Sequence, residues 1–242
     1  AKVAAAFAGE VIVIEAGPAA TRSNDTEYRY RPHSAFAHLT GWGANTVPDS
    51  VLVIDARESE TKSILFLRET AGKDSSEFFA NSAIGEFWVG QRPSLGEVSQ
   101  LLAIETRSLT KYDEFVEALG ENFITLAHPA LAEFVSELRL VKDQYEIAEM
   151  RKAVDGSIKG FEEVAANLGK AKAHPRGERI VETAFFTEAR ANGNDLGYET
   201  IAAAGEHACT LHWIINNGPV RDGDLLLRPL QAGDVEIGRA HV

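Results

Sequence analysis

Gly205-Glu206-His207-Ala208-Cys209-Thr210-Leu211-His212-Trp213, a turn at Asn216-Asn217-Gly218-Pro219, and Arg221-Asp222-Gly223-Asp224-Leu225-Leu226-Leu227 make up the stretch on which the reading of the fold turns. Thr210 to Ile215 is β-branched and aromatic enough to predict one strand, and Leu225 to Leu227 begins the next. His212 falls between Leu211 and Trp213, so within such a strand its side chain points away from both neighbours. A histidine so placed either lines a cleft or sits in a core, and spacing alone leaves both open.

Two amphipathic helices precede this stretch. Ile147, Met150, Val154, Ile158, Phe161, Val164 and Leu168 recur at steps of three and four, which is one apolar stripe. Asp143 is a good N-cap for that helix, with Glu146 three residues on as in a capping box. Glu149, Arg151, Lys152, Asp155, Lys159 and Glu162 read as its solvated side. A second helix over 178–192 ends at Gly193, with Ile180, Val181, Ala184, Phe185 and Ala189 marking its buried face. A short strand over 200–203 follows.

Further out, 11–14, 51–54, 63–67 and 123–126 read as strands. The polar loop 21–34, studded with Tyr and Arg, leads into a short helix capped by Gly41. Ser94 caps another helix with Glu97 in capping-box position. The segment 112–119, closed by Gly120, and the segment 129–140 are helical in period. Helix and strand alternate here as in a three-layer α/β domain.

Composition excludes several classes of function. The chain has 242 residues, 45% of them apolar, and a formal charge of -12 from 36 acidic and 24 basic side chains. That balance argues against a nucleic-acid or anionic-membrane surface. No apolar run approaches the roughly 18 residues of a membrane span. The single cysteine, Cys209, leaves no intramolecular disulfide and no cysteine-based metal cage, which fits a reducing, cytoplasmic setting. The opening residues carry no secretory pattern and no initiator methionine, the one Met being Met150, so the expectation is a fragment.

The segments around His212, from Gly205 to Trp213 and from Gly218 to Leu227, resemble the aminopeptidase P family, the Xaa-Pro aminopeptidases of the pita-bread metallopeptidase class. The resemblance extends in order through the block from Thr21 to Trp42 and the junction from Arg139 to Met150. It implies an α/β fold, a three-layer amino-terminal domain over 1–138, followed over 139–230 by the first half of a pita-bread (α+β) catalytic domain. It implies hydrolysis of the bond between an amino-terminal residue and a following proline, with proline-containing peptides as partners. His212 is then a catalytic residue contacting substrate around the scissile bond, and Trp88, in Glu86-Phe87-Trp88-Val89-Gly90, a substrate-binding residue. The family uses two divalent metal ions, with manganese expected, and a homo-oligomer is expected of the full-length parent.

The family's metal ligands lie beyond the strand that begins at Gly223, and where its first aspartate ligand belongs this chain has Pro229. Asp222 and Asp224 read as turn acids. His207 and His212 are an odd number of positions apart and so point to opposite faces of a strand. With Asp234 and His241 they build no metal site, and none is expected in this chain. The tail over 231–242 reads as non-native, resembling a translated sequencing adapter, with a frame change expected near Arg228. The chain as given is accordingly expected to be inactive, with an unpaired sheet edge and bare apolar helix faces. The alternatives left open are an Xaa-Pro dipeptidase, a creatinase-like hydrolase, and a non-catalytic binding protein of the same fold.

Overall fold

A computed structural model describes residues 1–120, 122–193 and 195–227, together with the backbone of 232–233. The expected tail over 231–242 otherwise lies outside the described residues, as does Pro229. The chain divides into two compact units, one ending at Val141 and the other beginning at Lys142.

In the first unit, helix α1 (Lys2–Ala6) precedes strand β1 (Val11–Glu15), and a small hairpin, β2 (Thr21–Ser23) with β3 (Thr26–Glu27), precedes α2 (Ser34–Thr40). Strands β4 (Val51–Asp55) and β5 (Lys62–Leu67) come next, then the short helices α3 (Glu77–Ala80) and α4 (Glu86–Val89). Helix α5 (Leu95–Leu102), β6 (Glu105–Ser108), α6 (Tyr112–Leu119) and α7 (Pro129–Leu140) complete it. The sheet has the order β1-β4-β5-β6, antiparallel except for the parallel pair β5 and β6.

Strand periodicity divides the side chains between two cores. Ile12, Ile14, Leu52, Ile54, Leu65 and Leu67 join Phe36, Val98, Leu131 and Val135 on one face. Val11, Val13, Val51, Val53, Ile64 and Phe66 meet Tyr112, Phe115 and Leu119 on the other. Both faces of the central strands are therefore covered by helices, the three layers expected, and the strands read as unbroken apolar runs because neither side is wet. Each such side chain contributes about 1.5–3 kcal/mol by leaving water.

The expected helix boundaries follow from capping. Ser94 and Glu97 form a reciprocal capping box, and Gly41 closes α2 at φ 70°. Two strands were less legible. The polar strand β6 pairs along one edge of the sheet with its side chains exposed or half-buried, so it carries no apolar run. The expected strand over 123–126 reduces to Ile124, which exchanges backbone bonds with Val11 and Val13 at 2.8 and 2.9 Å. A turn from Thr125 to His128 then breaks the ladder, with the Thr125 hydroxyl accepting from the Ala127 amide at 3.2 Å.

The second unit is built on two helices, α8 (Gln144–Ala173) and α9 (Gly177–Asn192). Asp143 and Glu146 form the expected capping box on α8. The helices approach closely at Gly160, where a Cβ would lie 2.5 Å from Phe185 Cε2. Val164, Ala171, Val181, Phe185 and Ala189 form their shared core with Ala202, Ala204 and Val220. The α8 stripe is buried at Val164, whereas Met150, Val154, Ile158 and Phe161 are each more than 40% exposed. Glu149, expected on the wet side, is instead buried and accepts from Lys152 Nζ at 2.5 Å.

Strands in this unit are short. β7 (Asp195–Leu196), β8 (Ala203–Ala204), β9 (Leu226–Leu227) and β10 (Ala232–Gly233) form the antiparallel pairs β7 with β10 and β8 with β9. The strand expected over 200–203 is thus confined to its end. The strand expected from Thr210 to Ile215 is absent. A 3₁₀ turn at Gly205–Cys209 leads instead into a bend, with the Thr210 amide on His207 O at 2.9 Å and the Trp213 amide on Thr210 O at 3.2 Å. β-Propensity reflects packing on a sheet surface, and among the described residues this segment has no neighbouring strand to ladder against.

Candidate functional site

The loop that carries His212 is organised around a buried carboxylate. Gly177 opens α9 at a point with no room for a side chain, since a Cβ would sit 2.5 Å from Ala171 O and 2.7 Å from the Val220 amide nitrogen. Glu178, next in the first turn of the helix, is fully buried. Its Oε1 accepts from the Ala204 amide at 2.8 Å and lies 2.8 Å from His207 Nδ1. Its Oε2 accepts from the Gly218 amide at 2.6 Å and from Trp213 Nε1 at 3.1 Å.

Burial pushes the Glu178 carboxyl up, but the two amides, the His207 ring and the Trp213 indole outweigh it and hold the group below the usual carboxylate range. The positive end of α9 favours the same charged form. His207 and Trp213 stack on each other with ring centroids 3.9 Å apart and an interplanar angle of 24°. Gly218 presses against the His207 ring, because a Cβ there would lie 2.7 Å from both Cε1 and Nδ1 of His207.

The expected turn at Asn216 to Gly218 is present and anchored from within. Asn216, at φ 47°, is buried; its Oδ1 accepts from the Ala202 amide at 2.9 Å and its Nδ2 donates to Thr200 O at 2.8 Å. At the far end of the loop, the Gly205 amide donates to Leu225 O at 3.0 Å, and the Asp224 carboxylate caps the Arg221 amide at 2.8 Å. Asp222 pairs with Lys172 at the surface. Both acids thus behave as turn residues.

His212 lies in the bend between Cys209 and Trp213 and is exposed. Trp88 lies in the other unit, on α4, half exposed, with its Nε1 donating to Phe79 O at 2.9 Å and its ring edge-on to Phe87. It borders an open pocket of about 460 Å³ together with Asn24, Asp25, Glu27 and Ser82. The two expected site residues therefore belong to separate units, each with its own surroundings.

Among the described residues, no group of three or more His, Cys, Asp or Glu side chains is placed to hold a metal ion. The donor set that a dinuclear centre needs is not furnished by these residues. No described helix is long and apolar enough to cross a membrane. Sequence reasoning missed Glu178, whose one signal is an acid in the first turn of a helix. It saw His207 only as an unpromising ligand.

The architecture is a three-layer α/β unit followed by a helix pair and a loop that carries His207 and His212. Residues 1–124 match the sequence model of the aminopeptidase P amino-terminal domain, and residues 148–230 match metallopeptidase family M24. The chain belongs to the aminopeptidase P family. It is 42% identical over 251 aligned residues to Xaa-Pro aminopeptidase 1 of Streptomyces coelicolor, covering 96% of this chain and 50% of that protein. It is 28% identical to the Xaa-Pro aminopeptidase of Escherichia coli, covering 90% of this chain and 54% of that protein.

Among solved structures, the zinc-substituted aminopeptidase P of Escherichia coli in complex with product superposes with a TM-score of 0.74 at 23% identity, covering 95% of this chain and 57% of that one. Proline aminopeptidase P II from Yersinia pestis gives a TM-score of 0.71 at 25% identity, with 95% and 57% covered. The chain spans about half the length of the curated relatives it matches.

Proposed function

We propose that the protein acts as a metal-dependent Xaa-Pro aminopeptidase, removing an amino-terminal residue that precedes proline. The observation that carries this reading is the 42% identity to an Xaa-Pro aminopeptidase across 96% of the chain, a span that includes both units. His212 is the proposed catalytic residue, contacting substrate around the scissile bond, and Trp88 the proposed wall of the substrate site. Residues 1–138 are the proposed amino-terminal domain and 139–230 the proposed part of the catalytic one. Two divalent ions, manganese by proposal, belong to this activity. The described residues do not supply their ligands, so no step is assigned to them. A homo-oligomer working in the cytoplasm completes the proposal.

Proline determines what the site has to achieve. Its nitrogen carries no N–H, so a peptidase that grips substrate as an added β-strand loses a donor at that position. An exposed imidazole beside the scissile bond offers a donor that does not depend on the substrate backbone. The test is release of the first residue from an Xaa-Pro-Xaa tripeptide by the full-length protein, followed by chromatography, with an Xaa-Pro dipeptide and creatine as competing substrates. Tripeptide cleavage that falls by about 100-fold in His212→Ala is the expected result. Turnover of the dipeptide or of creatine alone would reassign the protein to the other hydrolases, and binding of the tripeptide without turnover would make it a binding protein.

A further inference from the structure

The carboxylate of Glu178 bonds to groups on both sides of His212 in sequence. Ala204 and His207 precede it, Trp213 is its immediate neighbour, and Gly218 closes the turn that follows. His212 is exposed, and its ring makes no hydrogen bond to another described residue. Its position is therefore inherited from the backbone on either side. The indole of Trp213 is held twice, by its bond to Glu178 Oε2 at 3.1 Å and by its stack on His207 at 3.9 Å. Fixing that ring fixes the residue one planar peptide away from His212.

We propose that Glu178 is the positioning residue for His212, clamping the loop from 205 to 218 so that the histidine is presented in one orientation. This rests on the reading of His212 as the residue that meets substrate. An ionised carboxylate only accepts hydrogen bonds, so His207 bonds to it as the tautomer with hydrogen on Nδ1, leaving Nε2 without one in the neutral ring. Four donors converge on two oxygens. A glutamine at this position keeps one oxygen and turns an N–H toward a donor, so it fills the space and breaks the clamp.

The test uses the full-length protein and a tripeptide with proline second, comparing Glu178→Gln, His212→Ala and the double variant. The expected result is a fall in kcat of about 10- to 100-fold for Glu178→Gln with KM within about threefold, since small misplacement of a reacting group costs rate. On the His212→Ala background the same change adds less than about threefold, because residues acting as a unit are not additive. Nitrogen-15 spectra of the His207 ring are expected to show hydrogen on Nδ1 in the parent.

Trp213→Phe keeps an aromatic ring for the stack and removes only the Nε1 donor. It serves where Glu178→Gln does not fold, with kcat down about five- to tenfold and again little added loss without His212. A folded Glu178→Gln or Trp213→Phe with the parent's kcat overturns the proposal. So does an equal loss with and without His212. Unchanged kcat in His212→Ala overturns the reading of His212 beneath it, and is distinguishable because it needs no change at Glu178.

Discussion

Glu178 and Gly218 are bonded to each other in both directions: the Glu178 amide donates to Gly218 O at 3.1 Å, and the Gly218 amide donates to Glu178 Oε2 at 2.6 Å. Forty positions separate them in sequence. The helix start and the turn after the His212 bend are thereby one structural feature. Removing the acceptor strands buried donors, which costs more than a hydrogen bond between exposed groups is worth. Glu178→Ala is expected to destabilise the second unit by at least about 1–3 kcal/mol, the cost of one buried donor left without an acceptor. Loss of hydrogen-exchange protection at the Ala204 and Gly218 amides, with the first unit unaffected, is the measurement.

The same network sets an acid dependence. The folded Glu178 carboxyl is held below its ordinary range, so the folded state favours the ionised form. Its contribution is complete above the unfolded carboxylate value of about 4.3 and is lost as pH falls through the lower folded value. Burial pushes Glu182 the other way, so that group acts with opposite sign as pH rises. Acid unfolding of the second unit in the parent and in Glu178→Gln isolates the Glu178 component. The variant is expected to show the shallower decline below pH of about 4.

Gly160 faces the Phe185 ring at a distance no methyl group fits. Glycine to alanine inside an exposed helix stabilises by about 0.8–1 kcal/mol. Here Gly160→Ala is expected to destabilise by about 1–3 kcal/mol, because overpacking of the α8–α9 contact outweighs propensity. Phe185→Leu in the same chain is expected to relieve part of that loss. A double-mutant cycle from urea denaturation measures the coupling.

His33 caps α2 by accepting the Ala35 amide on Nδ1 at 3.1 Å, a role open only to an unprotonated nitrogen. Burial lowers its pKa, and the positive charges of Arg139 and Arg31 lower it further. The folded state thus favours the neutral ring. Its contribution is complete above the unfolded value of about 6.5 and declines as pH falls from there through the folded value. His33→Asn preserves a cap and is expected to remove that step from the stability profile of the first unit.

Tyr30 donates its hydroxyl to Ala16 O at 3.1 Å and Gly17 O at 2.7 Å, tying the polar loop to the end of β1. Burial, with the negative charge of Asp49 adding to it, pushes the phenol up to about 12. Spectrophotometric titration is expected to show Tyr30 still protonated at pH of about 11, a late component that Tyr30→Phe removes; burial raises Tyr112 as well, so the comparison is with the variant. The same variant is expected to cost about 1 kcal/mol in stability.

The strands β1, β4 and β5 and the capped helices were legible because their signals are local. An apolar run of four, or Ser94 with Glu97 three residues later, is complete within one turn or one strand. The long helix α8 was legible for the same reason, although its stripe is only partly covered. The edge strand β6 was missed because Glu105, Thr106, Arg107 and Ser108 are polar and exposed or only half-buried, so the run carries no apolar signal.

The His212 segment shows where sequence ceases to decide. Its composition suits a strand, yet a strand exists only through the neighbour it bonds, and among the described residues that neighbour is absent. The amino-acid sequence determined the family and the layered first unit, through motifs held within a few residues. Only the tertiary structure decided that Glu178, distant along the chain and unremarkable in a helix's first turn, holds that loop together. The physical reason is that a buried carboxylate is stabilised by whichever donors the fold brings to it, and those donors come from Ala204, His207, Trp213 and Gly218.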